Sequence, residues 1–566
     1  MIPGSRAIRF HPMLYAGASN PTKACITSTT EVPAKYDFAK KIPRNIFQSW
    51  QVHTTQGSIR FFTGKPFSPI LKERNSMTVG ICIGLALIIQ TMTIADADLS
   101  PTVKEWVDIT LSRQGETWDE AAGMIGSSEG NSTRGTMFYA LGLLQRGRGE
   151  DGERACKTIR SVCKQQYVAP GSKYHGTFSR SDTDKPPRDG GDYDQNWREF
   201  IGLSMILILE QCGDSVDEET RQAMLNALRY ACEGAYERNV SWQYTNISLM
   251  SAFLLGWGAK QFANPEWKAR GEELSRDIYE NFIKHGTFTE YNSPTYNGVN
   301  LWALAAWRVI APTPEMAVMG TEMEAGLWRD IARSYHAGLS NFCGPYDRSY
   351  GMDMRRYFAI TGIAIALATE SPASMPDLSS HTHLHDVAYL PLLALLGLQV
   401  PEDAMAHLKS FQGTRRYARI IEKGRTDRRA YSWLYDTYMV GVQTNSRGTK
   451  ISSQYHPFTV HWKGNNDAIS WIRFISDTLA IISLSGDAIE MQPARKSVQT
   501  VLNFEIYAPG AEMASFNAGS WNLPGITIKT PVVPVNPEVK QKDNTFTVSY
   551  PIPEGHKRNR LIIEVN

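Results

Sequence analysis

No CxxC pair, no Gly-x-x-x-x-Gly-Lys phosphate loop and no basic tract with interleaved aromatics occurs in these 566 residues. The first absence removes the usual zinc and dithiol signatures, the second a nucleoside-triphosphate cradle, the third a nucleic-acid footprint. No Ser-His nucleophile pair takes a recognisable form either. Charge of one sign is lacking too: the net of +2 gives no case for nucleic acid. Long apolar runs are nearly absent. The exception, Val79 to Ile94, is short for a membrane span and is interrupted by Gln90.

That run closes on Ala95-Asp96-Ala97, the small-x-small form of a signal-peptidase site, so residues 77–97 read as a signal peptide. Residues 1–76 in front of it read as a basic, disordered extension: a misplaced gene start or a transit sequence. Residues 1–97 hold 11 Lys and Arg against 4 Asp and Glu, whereas the rest holds 48 against 53. The mature chain is then expected in the secretory lumen or outside the cell, with no stable membrane span. In that compartment Asn131 and Asn239 become glycan acceptors. Of the seven cysteines five follow the cleavage point, which allows two disulfides at most.

From about 100 to 410, apolar positions recur at three- and four-residue spacing in segments such as "WREFIGLSMILILEQCG" and "ISLMSAFLLGWGAKQ". Breakers at Gly213, Pro265, Pro294, Pro312, Pro345, Pro372 and Pro401 divide them into roughly ten to twelve helices. Such even spacing predicts a ring or stack of helical hairpins over 98–415. After about 424 the texture turns short, β-branched and aromatic ("YHPFTVHWK", "SVQTVLNFEIYAP"), which predicts an antiparallel sandwich over 424–566.

The fourteen Trp and twenty-four Tyr are more than a core requires, and three helix starts gather them beside amides. Asn196 and Trp197 precede one apolar helix, Trp242, Tyr244 and Asn246 a second, and Glu290, Tyr291, Asn292, Tyr296 and Asn297 a third. Asp194 or Asn196 can serve merely as an N-cap. Three repetitions ask for more than capping: in a ring the starts can meet at one mouth. There a Tyr can move protons, Asn can bind a developing oxyanion, and Glu290 can transfer or orient a proton. Glu290 with Asp353 or Asp194 can instead form a glycosidase pair. Trp302 is a further candidate for the pocket wall.

Other groups read more plainly. His381, His383, His385 and Asp386 form a loop with His385 in reach of a site, and neither metal nor cofactor is expected. Asp353, Arg355 and Arg356 read as a salt-bridged helix start, with Arg355 a candidate ligand contact. His456 and His461 fall on a strand.

Over about 100–566 the chain resembles secreted polysaccharide lyases that join an (α/α) toroid to a β-sandwich: "QNWREFIG" looks like their Asn-Trp helix start and "GTFTEYNSPTYNG" like the segment holding their catalytic Tyr. The resemblance implies that Asn196 neutralises a uronate carboxylate and Tyr296 serves as acid or base. It departs where those enzymes carry a His, here Glu290 and Tyr291, and a carboxylate there would repel an acidic polysaccharide. The chain also resembles fungal secreted hetero-Diels–Alderases of tropolonic sesquiterpene assembly. That implies dehydration of a tropolone to a quinone methide and its capture by a humulene-type terpene, in a pocket poor in charge. A non-catalytic carbohydrate-binding protein would instead scatter the polar helix starts over its surface.

Overall fold

Twelve α-helices form among the described residues: α1 (Pro101–Gly115), α2 (Thr133–Arg146), α3 (Asp151–Lys164), α4 (Trp197–Gln211), α5 (Glu218–Arg238), α6 (Thr245–Phe262), α7 (Pro265–His285), α8 (Tyr296–Ile310), α9 (Pro314–Ser334), α10 (Ile360–Thr369), α11 (Tyr389–Leu396) and α12 (Glu402–Lys409). The computed structural model describes residues 51–55, 58–62 and 99–565, except 128–129, 183–192, 378–382, 423–426, 446–453, 465–468, 476–479, 494–499 and 553–559. The chain divides into two units, 1–90 and 91–566. In the first, Gln51–Thr55 pairs antiparallel with Ser58–Phe62. The signal-like run at 77–97 lies outside the described residues.

In the second unit the helices close a ring. α2 packs on α4, α4 on α6, α6 on α8, α8 on α10, α10 on α11, and α11 back on α2. A second layer follows outside, with α3 on α5, α5 on α7, α7 on α9 and α9 on α12. This is an (α/α) toroid. The sequence accounts for the two layers. α4 is buried continuously from Arg198 to Ile208 and α6 from Thr245 to Leu255, as helices covered on every side must be. α7 buries only Trp267, Gly271, Leu274, Ser275, Ile278 and Phe282, a single stripe at helical spacing. No helix among the described residues is long and apolar enough to cross a membrane.

The β-sandwich follows α12 and starts before the change of texture at 424. Its strands are β1 (Arg415–Glu422), β2 (Arg428–Leu434), β3 (Tyr438–Thr444), β4 (Phe458–Lys463), β5 (Ile469–Phe474), β6 (Ala480–Ser485), β7 (Ala488–Pro493), β8 (Thr500–Tyr507), β9 (Ser520–Leu523), β10 (Ile526–Val532), β11 (Glu538–Lys542), β12 (Thr545–Ile552) and β13 (Leu561–Val565). One antiparallel sheet has the order β11-β12-β8-β5-β4-β3-β2-β1, the other β6-β7-β13-β10-β9. β12 alternates, burying Phe546, Val548, Tyr550 and Ile552. β3 and β4 are buried on both faces, one against the sandwich core and one against the toroid, where Leu434, Met439 and Ile469 meet Leu339 and Cys343. Close approach needs Gly441: a Cβ there would stand 2.1 Å from the Gly344 carbonyl carbon.

Candidate active site at the toroid mouth

Three inner helix starts lack a side-chain cap, although Ser132 caps the inner helix α2. Outer helices α5, α7 and α9 carry Asp217, Asn264 and Thr313 at the N-cap, each side chain accepting from a backbone N–H of its first turn. Inner helices α4, α6 and α8 begin at Asn196, Tyr244 and Thr295, and none of these side chains caps its helix. Asn196 therefore occupies a capping position without using its amide to cap. That amide accepts from Arg238 through Oδ1 at 2.8 Å and donates through Nδ2 to Tyr244 Oη at 3.1 Å. Arg238 is held from behind by the buried Glu199, 3.4 Å away.

A chain of contacts then runs round the mouth. Tyr244 faces Arg348, whose guanidinium carbon lies 4.4 Å from the centre of the Tyr296 ring. Tyr296 Oη shares a hydrogen bond of 2.9 Å with Tyr350 Oη. The Tyr350 ring packs on His383 at 4.2 Å between centroids, and His383 and His385 flank Asp386. Asp386 pairs with Arg134 at 3.8 Å, and Arg134 lies over the ring of Trp197, next to Asn196. The circuit closes on itself. A scatter of polar helix starts over the surface is excluded by it.

Glu290 and Arg348 form the charged centre. Glu290 Oε2 accepts from the Asn246 backbone N–H and Nδ2 at 3.2 and 2.8 Å, and Oε1 accepts from Arg348 at 3.3 Å. Burial pushes the Glu290 carboxyl above its ordinary range, with Arg348 and Asn246 pulling back. Burial works against the Arg348 charge, but facing Tyr296, Glu290 and Tyr350 outweigh it and raise its pKa. Burial raises both Tyr296 and Tyr244, so these phenols rest protonated. At the far side burial lifts Asp386 to about 6 against the pull of Arg134 and His383, and burial lowers His383.

The Arg348 segment is locked from both domains. Ser293 Oγ donates to the Arg348 carbonyl at 2.6 Å, and Arg348 Nε donates to Gln454 at 3.1 Å. The neighbouring Asp347 accepts from the Tyr291 backbone N–H at 3.0 Å and from Arg428 of β2 at 2.8 Å. Tyr346 and His456 exchange both backbone hydrogen bonds across the domain boundary.

Not every residue singled out in the sequence reaches the mouth. Tyr291 turns the other way and packs, fully buried, with Ile421 and Ala430 of the sandwich. The chain turns at Tyr291, and Glu290 and Tyr291 face different neighbours, Glu290 the Asn246 and Arg348 side chains and Tyr291 the sandwich. Asn292 has a left-handed φ of 52° and donates to the carbonyls of Cys343 and Pro345, a structural role. Trp302 lies six residues inside α8, edge-on to Phe138 and Tyr389 in the core, and cannot be a pocket wall. Trp242 is half-buried in the turn before α6 and packs on the same core. Arg355 and His385 are exposed, and Arg356 pairs with Asp353 at 3.6 Å. Glu290 is engaged by Asn246 and Arg348, while Asp194 accepts from the Asn196 N–H and Asp353 from the Arg355 N–H, both at 2.9 Å. His456 and His461 are core residues, both lowered to about 3 by burial. Asn131 donates to Asp182 at 3.1 Å, Asn239 is exposed at the α5 C-cap, and the five described cysteines form no disulfide. His381 lies outside the described residues.

Four mouth residues were not anticipated: Arg134, Arg238, Arg348 and Tyr350. They overturn the expectation of a mouth poor in cations. "RSYG" between Pro345 and Gly351 has the same polar-aromatic texture as the three helix starts, and it sits just before the stretch containing Asp353 and Arg355.

The family described as Domain of unknown function (DUF8769) matches residues 104–397. No curated protein matches the sequence. Among solved structures the chain is similar to the chondroitin AC lyase of Streptomyces coelicolor A3 in complex with chondroitin sulphate, at 10% identity over 85% of this chain and 82% of that chain, with a TM-score of 0.44. It is also similar to heparinase III, at 8% identity over 84% of this chain and 86% of that chain, with a TM-score of 0.35.

Proposed function

The chain belongs to the family described as Domain of unknown function (DUF8769), and from the geometry of its toroid mouth we propose that it is a lyase that cleaves a uronate-containing polysaccharide by β-elimination. The observation that carries this reading is the Arg348–Tyr296–Tyr350 arrangement. The guanidinium carbon lies 4.4 Å from the centre of the Tyr296 ring, and Tyr296 Oη lies 2.9 Å from Tyr350 Oη. β-Elimination needs a cation for the carboxylate, an acceptor for the C5 proton and a donor for the departing oxygen.

Each need has a candidate here. Arg348 and the Asn196 Nδ2 group would bind the uronate carboxylate and drain charge from C5. Tyr296 Oη would take the C5 proton while passing its own to Tyr350, and Tyr350 would protonate the glycosidic oxygen leaving C4. The C5–H and C4–O bonds break, the C4=C5 double bond and a new O–H form, and neither phenol has to ionise at rest. That matters because burial holds Tyr296 protonated. The objection that Glu290 repels an acidic sugar loses force, since Arg348 and Asn246 already engage both carboxylate oxygens. The starts of α2, α4, α6 and α8 around the mouth add positive dipole ends.

The test is ultraviolet absorbance of new unsaturated uronate on incubating the purified protein with a panel of uronate polysaccharides. A rise with one polymer, abolished in Tyr296→Phe, is expected. A flat trace across the panel refutes the reading.

A second reading, hetero-Diels–Alder assembly of a tropolone with a humulene-type terpene, keeps one observation in its favour. Burial favours the protonated form of Glu290, as a donor for dehydration would require. Formation of the coupled product from a hydroxymethyl tropolone and the terpene, dependent on Glu290, tests it.

A further inference from the structure

The proton relay leaves one cluster at the mouth without a role. His383, His385 and Asp386 stand in the turn before α11, and their donor atoms all lie within 4.8 Å of one another. We propose that these three side chains bind one divalent transition-metal ion of the zinc, cobalt or nickel kind.

The spacing argues for a shared ion in preference to hydrogen bonds. His385 Nε2 lies 3.4 Å from Asp386 Oδ1, and His383 Nδ1 lies 4.0 Å from Asp386 Oδ2. Two ligands each about 2.0–2.1 Å from a tetrahedral centre are roughly 3.4 Å apart. The third neighbour of the carboxylate, Arg134, is 3.8 Å away, beyond hydrogen-bond length. A buried carboxylate with every charged or titratable partner at 3.4 Å or more is poorly served by those partners alone. Two imidazoles and one carboxylate suit a borderline ion, whereas magnesium or calcium takes oxygen ligands.

The surroundings fit a bound ion as well. His383 adopts a left-handed φ of 58°, uncommon outside glycine, and its ring is clamped on Tyr350. His385 is the solvent-facing member of the three, its side chain 58% exposed. With three protein ligands a tetrahedral ion keeps one open position. Arg134, held over three aromatic rings, would orient the carboxylate from outside the ligand set. The sequence reads His383, His385 and Asp386 as a loop without a metal; what the structure adds is that Asp386 is buried between the two imidazoles.

The proposal is tested on the metal-stripped full chain by calorimetric titration with zinc and with cobalt chloride, together with the visible absorption of bound cobalt. One ion per chain at micromolar affinity or tighter is expected. Exposed His385→Ala should weaken it at least about tenfold, as should Asp386→Asn provided its circular dichroism is unchanged. Absence of binding overturns the proposal. So does binding unaffected by His385→Ala, which would place the ion elsewhere, or equal affinity for magnesium. No substrate enters the titration, so its failure is separate from failure of the lyase reading.

Discussion

Arg348 stacks on Tyr296 with its guanidinium carbon 4.4 Å from the ring centre, and the same side chain reaches Glu290 Oε1 at 3.3 Å. One cation thus neutralises a buried carboxylate and faces the phenol proposed to receive a proton. Removing it should have two separable effects. Arg348→Ala should destabilise the protein by about 1–3 kcal/mol, because Glu290 keeps its burial and loses its partner. Urea unfolding of Arg348→Ala/Glu290→Gln should recover most of that loss, while activity stays down about 100-fold in both. Arg348→Lys should not restore activity, since an ammonium lacks the planar face that lies on the ring. Full stability in the single variant would show that the pair is incidental.

Tyr296 and Tyr350 act as one unit if the relay is right. Tyr296→Phe and Tyr350→Phe should each lower kcat by about 100-fold or more, with KM nearly unchanged, and the double variant should be little worse than either. Multiplicative losses would mean that the two phenols do unrelated work.

Acid sensitivity should come from beneath the mouth. His456 and His461 are lowered to about 3 by burial, against an ordinary 6.5. A depressed folded pKa means that the unfolded chain binds more protons between those values. Their contribution is then complete above pH 6.5 and is lost as pH falls towards 3. The slope approaches about 1.4 kcal/mol per pH unit for each histidine. Denaturation curves of His461→Met from pH 7 to 4 should be flatter than those of the parent. Parallel curves would contradict the assignment.

The toroid and sandwich meet too closely for a methyl group at Gly441. Gly441→Ala should cost about 1–3 kcal/mol by overpacking, because its Cβ meets the Gly344 carbonyl carbon at 2.1 Å, backbone that cannot rotate away. Gly344 leads into the Arg348 segment, so activity should fall as well. An unchanged Tm in thermal unfolding would show that the interface yields.

Where the helices lie was legible because inner and outer helices differ in kind: apolar all round in α4 and α6, striped in α7. β1 was not, since "RRYARIIE" on a sheet edge is charged and half exposed and lacks the β-branched, aromatic texture of the strands after it. In the site, Asn196, Asn246, Glu290 and Tyr296 could be picked out because each stands beside aromatics at the start of an apolar helix. Arg348 and Tyr350 share the polar-aromatic texture but stand in a loop, with no apolar helix starting beside them. Trp302 and Tyr291 misled for different reasons: one lies inside a helix covered on every side, the other on the sandwich side of the turn before α8. Cations are hardest to place from sequence. Arg134 and Arg238 sit on helices where an arginine ordinarily faces water, and only ring closure brings them to the mouth.

Elimination at this mouth is tested most directly by mass spectrometry of the products from a uronate polysaccharide. The prediction is oligosaccharides with an unsaturated uronate at the new non-reducing end, each lighter by one water than a hydrolysis product, and none from Tyr296→Phe. Saturated ends, or an uncut polymer with the parent protein, would contradict it.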